Sequence, residues 1–310
     1  MLRHVAYITD PIYLLHDTGE WHPESPERLR AIERAVTPLK EKVAELSPIR
    51  VSESLLETVH TPEHIESVKW HCGALEPIDA DTICSEHSYE AALMAAGAGI
   101  VALDAIREGK IERAFCAVRP PGHHATLTQS MGFCLFNNIA IAARYAQSLG
   151  YGKVAIVDFD VHHGNGTQDI FYSDGSVLYF STHQSPAYPG TGSASERGTG
   201  DGKGTTFNFP FPPGSGDADL LSVYREELPN ILTRFKPDIL LVSAGYDLHT
   251  ADPLAQLDVT TEGVRDIVRA ILEICDVPAV FMLEGGYNVN ALGECVAVTI
   301  EELLSASQTA

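Results

Sequence analysis

The sequence is poor in basic residues, holds no CxxC cysteine pair and has no long apolar run. Against 21 Lys and Arg stand 42 Asp and Glu, which gives a net charge of −21 at pH 7. A surface with this charge repels phosphate backbones and anionic lipid headgroups, and it attracts cationic ligands such as Lys-rich peptides and polyamines. We therefore expect neither nucleic acid nor a membrane as a partner, and the sequence leaves homo-oligomerisation open.

The six cysteines show no spacing that is typical of a disulfide framework or a thiolate metal site, so they are predicted to be reduced core thiols. The longest uncharged apolar run, residues 91–103, is shorter than the ~20 residues that a membrane span needs. The N-terminus also lacks a basic segment followed by an apolar stretch. These absences predict a cytoplasmic protein without a signal peptide.

What the sequence does have is a regular alternation of short apolar runs and helix-period segments, which predicts a parallel sheet with helices on both faces. The predicted strands are residues 5–9, 114–118, 154–158, 177–181, 206–208, 239–243 and 279–283. The predicted helices are residues 26–37, 62–70, 88–108, 138–149, 218–235, 260–274 and 289–304. We expect one α/β domain over residues 1–304, a functional loop at 184–203 and a short C-terminal tail at 305–310.

Polar side chains follow at least five of the predicted strands. In open α/β sheets, ligands bind outside the carboxyl ends of the strands, so these side chains are expected to converge on one site. They include His123 and His124, Asp158, Asp160 and His162, Ser181 and Thr182, Asp247, and Tyr287. A convergence of this kind is hard to explain by packing alone.

Asp158, Asp160 and His162 alternate with apolar residues, which in an extended chain places all three on one face. Carboxylates held that close repel each other unless a cation joins them. With Asp247 from another strand end, the set offers two Asp and one His. Three protein ligands and one open position are typical of catalytic zinc, although carboxylate-rich sites also accept other divalent first-row metals.

His123 and His124 follow a Pro-Pro-Gly turn, and Tyr287 follows two glycines. A histidine titrates near neutral pH, so one of the pair can take a proton from water and return it to a leaving group. The phenol of Tyr287 could donate a hydrogen bond to a developing oxyanion. A core aromatic ring is an equally good interpretation of Tyr287 at this point.

Six segments carry a resemblance to a known family. They are HPESPERL at 22–29, RPPGHHA at 119–125, GFCLFNN at 132–138, DFDVHHGNGTQ at 158–168, SAGYD at 243–247 and LEGGY at 283–287. Through them the chain resembles the zinc-dependent histone deacetylase superfamily, which includes acetylpolyamine amidohydrolases and acetoin-utilisation proteins. The resemblance implies the arginase-deacetylase fold, a single α/β domain with a mainly parallel sheet.

The resemblance also implies roles for individual residues. Asp160, His162 and Asp247 would bind one catalytic Zn²⁺. His123 and His124 would manage proton transfers, Tyr287 would stabilise the oxyanion, and Asp158 would orient His123. A structural K⁺ would be held by the Asp158 carboxylate and by the segment that contains Asp160 and His162, with Ser181 and Thr182. Gly132, Phe133 and Tyr188 would line a narrow acyl-lysine tunnel, with Asp81 at its rim.

Three positions indicate the subclass and the substrate. Asn165 stands where class I enzymes have a second Asp, which resembles class II, while Tyr287 is retained where the weakly active class IIa enzymes have His. At Leu254 the polyamine-selective class IIb enzyme carries Glu, so Leu254 resembles enzymes that act on peptide lysine. We therefore expect a Zn²⁺ amide hydrolase that removes acetyl or related acyl groups from lysine side chains.

Two alternatives stay open at this stage. An acetylpolyamine amidohydrolase could use acidic residues at the rim, such as Asp17, Glu20 or Asp79, in place of the Glu that the class IIb enzyme carries at the position of Leu254. A low-turnover acyl-lysine binding protein is an alternative of another class, motivated by Asn165 and by the weakly active members of the family that it resembles. Arginase-like ureohydrolysis ranks low because it needs a second metal, and the sequence offers one complete ligand set.

Overall fold

A single sheet forms the centre of the computed structural model, which describes residues 4–274 and 276–307. Within these residues the sheet has eight strands, and every neighbouring pair is parallel. The strands are β1 (Val5–Ile8), β2 (Ala44–Leu46), β3 (Arg113–Cys116), β4 (Val154–Asp158), β5 (Val177–Gln184), β6 (Thr206–Phe211), β7 (Ile239–Ala244) and β8 (Ala279–Leu283). Their spatial order is β2-β1-β3-β8-β7-β4-β5-β6.

The described residues also form nine α-helices. They are α1 (Pro26–Val36), α2 (Glu53–Leu56), α3 (Pro62–Ala74), α4 (Ser88–Arg107), α5 (Asn138–Ser148), α6 (Asn165–Phe171), α7 (Asp217–Phe235), α8 (Thr261–Ile274) and α9 (Val289–Ala306). Side-chain caps begin several of them: Thr61 accepts the N–H of His64 at the start of α3, and Asn288 accepts that of Ala291 at the start of α9.

The helices pack in two groups that cover the sheet. In one group, α1 packs on α9, α9 on α8, and α8 on α7; in the other, α4 packs on α5. The inner strands β3, β4, β7 and β8 are buried at every position, as expected for parallel strands covered on both faces. The predicted α/β architecture with a parallel sheet is confirmed.

Helix α4 is long and apolar enough to cross a membrane by length and composition alone, but 72% of its most apolar window is buried inside the fold. It packs against α5 and the sheet as a core helix. The prediction of core thiols also fits the structure: the five described cysteines are buried and carry no disulfide, and Cys275 lies outside the described residues.

Several boundaries differ from the predictions. The short edge strand β2 and the helices α2 and α6 were not predicted, and β5 continues to Gln184 because it keeps pairing with β6 as far as Phe211. Helix α9 continues to Ala306, so the first two residues of the predicted tail are helical. Residues 308–310 of that tail lie outside the described residues.

Candidate active site

A cavity of about 220 Å³ lies where polar side chains follow the strands. Its walls contain all five residues that the sequence predicted as substrate contacts. The lining residues are Asp81, Gly132, Phe133, Tyr188 and Leu254, together with His124, His162 and Tyr287. The structure thus brings together segments that are up to about 200 residues apart along the chain.

A cluster of one imidazole and two carboxylates lies at this cavity. Asp160, His162 and Asp247 each offer one ligand atom, and these atoms lie within 4.8 Å of one another. The His162 Nδ1 atom is 3.2 Å from Asp160 Oδ1 and 3.1 Å from Asp247 Oδ2. Both carboxylates are buried. Because like charges this close are unfavourable without a cation, the donor set fits Zn²⁺ or a similar divalent ion.

Two glycines give the carboxylates the space they occupy. A Cβ atom built at Gly245 would overlap the Asp160 carboxylate, and one built at Gly285 would overlap that of Asp247. The Gly285 N–H also donates to Asp160 Oδ2 at 2.8 Å, and the Val161 N–H donates to Asp247 Oδ1 at 3.0 Å. The backbone therefore orients both carboxylates before any ion binds.

Asp160 and His162 meet because the chain bends after β4, and here the predicted extended alternation is wrong. Strand β4 ends at Asp158. The Asp160 carboxylate then accepts the backbone N–H of His162 at 2.9 Å, a local turn that Asp commonly forms. Asp158 does not join the pair on one face. Its carboxylate accepts the Asp160 N–H at 3.1 Å and contacts His123.

The two neighbouring histidines have different partners. Asp158 Oδ2 lies 3.0 Å from His123 Nδ1, whereas the amide oxygen of Asn165 lies 2.8 Å from His124 Nδ1. Burial opposes a charge on His123, but Asp160, Asp158 and further carboxylates outweigh it and raise its pKa to about 10. Burial lowers the pKa of His124 well below its usual range, and His123 lowers it further. The pair is therefore asymmetric, with one carboxylate partner and one neutral partner.

Tyr287 lies on the cavity wall, with its ring centroid 5.8 Å from that of Phe133. This position supports the interpretation of Tyr287 as a site residue rather than as a core aromatic residue. Burial, with a contribution from Asp247, raises the pKa of the phenol well above its usual range, so it keeps its proton at neutral pH. A protonated phenol can donate a hydrogen bond into the cavity.

Asp252 positions Tyr287, and sequence reasoning missed it. One of its carboxylate oxygens accepts the N–H groups of Tyr287 at 2.6 Å and Asn288 at 3.2 Å, and the other accepts that of Leu254 at 3.0 Å. Asp252 therefore ties together two parts of the cavity wall. The one feature of the sequence that could have pointed to Asp252 is its position, five residues after the predicted metal ligand Asp247.

Glu284 is a second buried carboxyl to which the sequence assigned no role. Its Oε2 atom accepts the backbone N–H groups of Gly122 at 2.7 Å and His123 at 3.1 Å, and its Oε1 atom accepts the Ser243 hydroxyl at 2.9 Å. Burial raises the pKa of Glu284 to about 7. The carboxyl group therefore joins the turn that carries the histidine pair to the ends of β7 and β8.

Behind Tyr287 lies a buried ionic cluster formed by Glu24, Arg28 and Arg119. Arg28 Nη1 is 3.0 Å from Glu24 Oε1, Arg119 Nη2 is 2.7 Å from Glu24 Oε2, and all three side chains are fully buried. Arg28 also donates to the Gly286 carbonyl at 2.7 Å, and its guanidinium lies 5.1 Å from the Tyr287 ring centroid. The cluster fixes the backbone that precedes Tyr287.

Replacing Glu24 with Gln should lower the free energy of unfolding by about 3–5 kcal/mol, because two buried guanidinium groups lose their shared counter-charge. Chemical denaturation at neutral pH measures this loss. The matched control is Glu27→Gln, in which the lost ion pair with Arg30 is solvent-exposed and should cost less than about 1 kcal/mol. Equal losses of stability in the two variants would show that Glu24 is not an essential buried counter-charge.

The same carboxyl predicts a pH dependence. Despite burial, the two arginines and His16 hold the pKa of Glu24 well below 4.5 in the folded state. Its contribution to stability is therefore present above about pH 4.5 and is lost as pH falls through the folded-state pKa. Denaturation curves across this acidic range should show a smaller slope of stability against pH for Glu24→Gln than for the unmodified chain.

Three of the residues predicted for a potassium site, Asp158, Ser181 and Thr182, lie on two adjacent strands, whereas Asp160 and His162 lie in the bend after β4. Asp158 of β4 is the register partner of Ser181 of β5. The Ser181 hydroxyl is 2.9 Å from His183 Nδ1, and the Thr182 hydroxyl is 2.7 Å from the Tyr224 hydroxyl. Contrary to the predicted boundary, Ser181 and Thr182 lie inside β5 rather than at its end. Their potassium role stays a prediction.

The sheet and the cluster at its carboxyl edge are those of a histone deacetylase domain, and the family model of that domain matches residues 22–303. The chain belongs to the histone deacetylase family. The fold agrees as well: the crystal structure of the HDA15 HD domain superposes with a TM-score of 0.93 at 38% identity, covering 97% of this chain and 88% of that one. The expected arginase-deacetylase α/β fold is thereby confirmed.

Similar curated proteins include two from archaea. A probable deacetylase of Archaeoglobus fulgidus is 40% identical over 288 residues, which cover 90% of this chain and 80% of that protein. A probable deacetylase of Methanothermobacter thermautotrophicus is 44% identical, with 93% and 87% covered. Histone deacetylase 15 of Arabidopsis thaliana is 40% identical over 95% of this chain, which spans 56% of that protein. These relatives support deacetylase activity.

Proposed function

We propose that the protein is a zinc-dependent deacetylase that hydrolyses the amide of acetyl-lysine, or of a related acyl-lysine, in peptides or proteins. The observation that carries the proposal is the placement of Asp160, His162 and Asp247 at a cavity whose wall also holds His124 and Tyr287. A ligand cluster, a base and an oxyanion donor thus meet around one space where an acyl carbonyl can lie.

The shape of the cavity supports an acyl-lysine stem as its occupant. Phe133 and Tyr188 supply aromatic surface, and the volume of about 220 Å³ suits one extended side chain rather than a folded ligand. Gly132 keeps the space open, because a Cβ at that position would collide with His124 and lie 3.0 Å from Tyr188. Its φ of +56° is also one that glycine adopts readily.

The site residues divide into a metal-holding set and a proton-handling set. Asp160, His162 and Asp247 would hold Zn²⁺. Bound there, zinc supplies Lewis acidity, which polarises the acyl carbonyl and makes water acidic. The chain itself supplies orientation, because backbone N–H groups hold the two carboxylates and Asp160 holds the His162 backbone.

Proton transfer is assigned to the histidine pair. His124 lines the cavity and takes a proton from the attacking water, while His123 lies behind it and is oriented by Asp158. The water oxygen bonds to the acyl carbon, and Tyr287 donates a hydrogen bond to the resulting oxyanion. The carbon–nitrogen bond then breaks, the amine takes the proton back, and the products are acetate and the free lysine side chain.

We also propose a structural K⁺ next to this centre. The Asp158 carboxylate and backbone carbonyl oxygens of the 158–162 bend would bind it, together with Ser181 and Thr182. The register pairing of Asp158 with Ser181 supports this proposal. Such an ion would stiffen the bend that carries Asp160 and His162.

Substrate preference is expected to follow Leu254, which lies on the cavity wall with 43% of its surface exposed. Replacing Leu254 with Glu places on the cavity wall a carboxylate that can pair with the free ammonium of an acetylated polyamine. The ratio of kcat/KM for acetylputrescine to that for an acetyl-lysine peptide should rise about fivefold, since an exposed ion pair is worth about 1 kcal/mol. Leu254→Gln is the control of similar size. An equal rise in both variants contradicts a charge effect.

The proposed function is tested by acetate release from an acetyl-lysine peptide and from acetylputrescine, assayed in parallel with zinc-loaded protein and with a chelator. Chelator-sensitive turnover that favours the peptide supports the proposal. Preference for acetylputrescine would instead favour the polyamine amidohydrolase and assign selectivity to rim acids such as Asp17, Glu20 or Asp79. Peptide binding without acetate release would favour the low-turnover acyl-lysine binding protein.

The remaining expectations about partners and location stay predictions. An acetylated lysine peptide, protein or amine is the proposed partner. Homo-oligomerisation, the exclusion of nucleic acid and membranes, and a cytoplasmic location rest on the sequence alone.

A further inference from the structure

Two buried thiols lie in contact next to the cavity rim. Cys72 is in the last turn of α3, and Cys84 follows the segment of residues 75–83, which we call the rim segment. Their Sγ atoms are 3.1 Å apart, and the two residues are only 3% and 5% exposed. Among the described residues, this is the one pair of cysteines whose thiols are in contact.

The rim segment contributes directly to the cavity. Asp81 lines the cavity, and its carbonyl oxygen is 2.9 Å from His22 Nε2. The next residue, Thr82, accepts the backbone N–H of Phe133 through its hydroxyl at 3.3 Å. Cys84 comes three residues after Asp81. A movement of Cys84 is therefore expected to move the rim segment.

We propose that Cys72 and Cys84 are a redox-sensitive pair that hydrogen peroxide converts into a disulfide, which ties the rim segment to α3. In this step one thiol is oxidised by peroxide to a sulfenic acid with release of water. The second thiol attacks the sulfenic sulfur, the S–S bond forms, and a second water leaves. Two thiols and one peroxide thus give one disulfide and two waters.

The two sulfur atoms are already close to the distance of a disulfide bond. The sulfur atoms must approach from 3.1 Å to about 2.05 Å, so the two side chains must move together by about 1 Å. Contact with Cys84, followed by burial, raises the pKa of Cys72, which leaves little thiolate at neutral pH. Oxidation should therefore be slow near pH 7 and faster at alkaline pH.

The consequence for substrate binding rests on the proposed function. Drawing Cys84 toward α3 strains the already long hydrogen bond between Thr82 and the Phe133 backbone. The KM for an acetyl-lysine peptide should rise about fivefold, the loss expected for one hydrogen bond, with kcat unchanged within about twofold. Acetylputrescine fills the cavity without a peptide backbone at Asp81, so its KM should change less.

The experiment treats zinc-loaded protein with hydrogen peroxide at alkaline pH, followed by intact mass measurement and non-reducing peptide mapping. The expected result is a loss of about 2 Da, a linked peptide that joins Cys72 to Cys84, and recovery with dithiothreitol. Cys72→Ser and Cys84→Ser should each prevent the link. Cys295→Ser removes a buried thiol elsewhere and should leave it intact. Kinetics of the reduced and oxidised forms follow.

The mass measurement tests the redox-sensitive thiol pair, and the kinetics test the proposed function. Absence of the 72–84 link, or formation of the link at another cysteine, overturns the inference whatever the turnover. A link that leaves the peptide KM unchanged overturns the effect on the rim. If neither substrate is turned over before oxidation, the proposed function fails, while the mass measurement still decides whether the thiol pair is redox-sensitive.

Discussion

Replacing Tyr287 with Phe is expected to lower kcat on an acetyl-lysine peptide by about 10²–10³-fold, the usual cost of removing one oxyanion donor. The change deletes a single hydroxyl on the cavity wall and leaves the packing against Phe133 and the contact with Arg28 in place. The KM and the unfolding midpoint should therefore stay close to those of the unmodified chain. Steady-state kinetics and chemical denaturation measure both effects.

A matched control for this prediction is Tyr145→Phe. That substitution deletes a partly buried hydroxyl of α5 that donates to Asp104 of α4 at 2.8 Å, and neither residue lines the cavity, so kcat should not change. If Tyr287→Phe kept kcat within about threefold of the unmodified chain, Tyr287 would have no oxyanion role. The ring would then serve only as a cavity wall.

Under the proposed zinc mechanism, replacing Asp247 with Asn should prevent metal binding and lower kcat/KM by at least about 10⁴-fold, because the Lewis acid is lost with its ligand. The stability of the metal-free protein should not fall, since the substitution relieves repulsion between two buried carboxylates. The binding of zinc is expected to raise the Tm of the unmodified protein, and this increase should be absent in the variant.

Metal analysis after dialysis, acetate release and thermal unfolding with and without zinc test this prediction together. Asp238→Asn is the matched control, because Asp238 accepts the Lys153 N–H at 2.8 Å just before β7, at the opposite edge of the sheet. Retention of one zinc per chain and of turnover in Asp247→Asn would show that the metal lies elsewhere.

The sequence predicted most of the sheet because its inner strands are continuous apolar runs. The bounds of β4 and β8 agree with the prediction residue by residue. The edge strand β2 was missed because it has three residues and is partly exposed, which leaves little pattern to detect. The end of β5 was missed because residues 182–184 are polar in sequence, although pairing with β6 keeps them extended and buried.

For the site, the sequence predicted which residues lie together, but it did not predict the backbone conformation that brings them together. Asp160 and His162 were predicted as partners, but on the basis of an extended strand that the chain does not form. Glu24, Arg28 and Glu284 stood inside segments already noticed for other residues, and their roles were still missed. Their partners are distant in sequence, as in the hydrogen bond from Arg28 to the Gly286 carbonyl, and periodicity carries no information on such pairs.

The strand order has a consequence for how the protein folds. The metal-ligand cluster joins the ends of β4 and β7. These strands are neighbours in the sheet, but α6, β5, β6 and α7 separate them along the chain. The cluster cannot be complete until these long-range parallel pairings have formed, and such pairings are slow to close. A metal ion would therefore meet all three of these ligands only after the pairings have formed. Its binding would then stabilise the finished sheet and slow its opening.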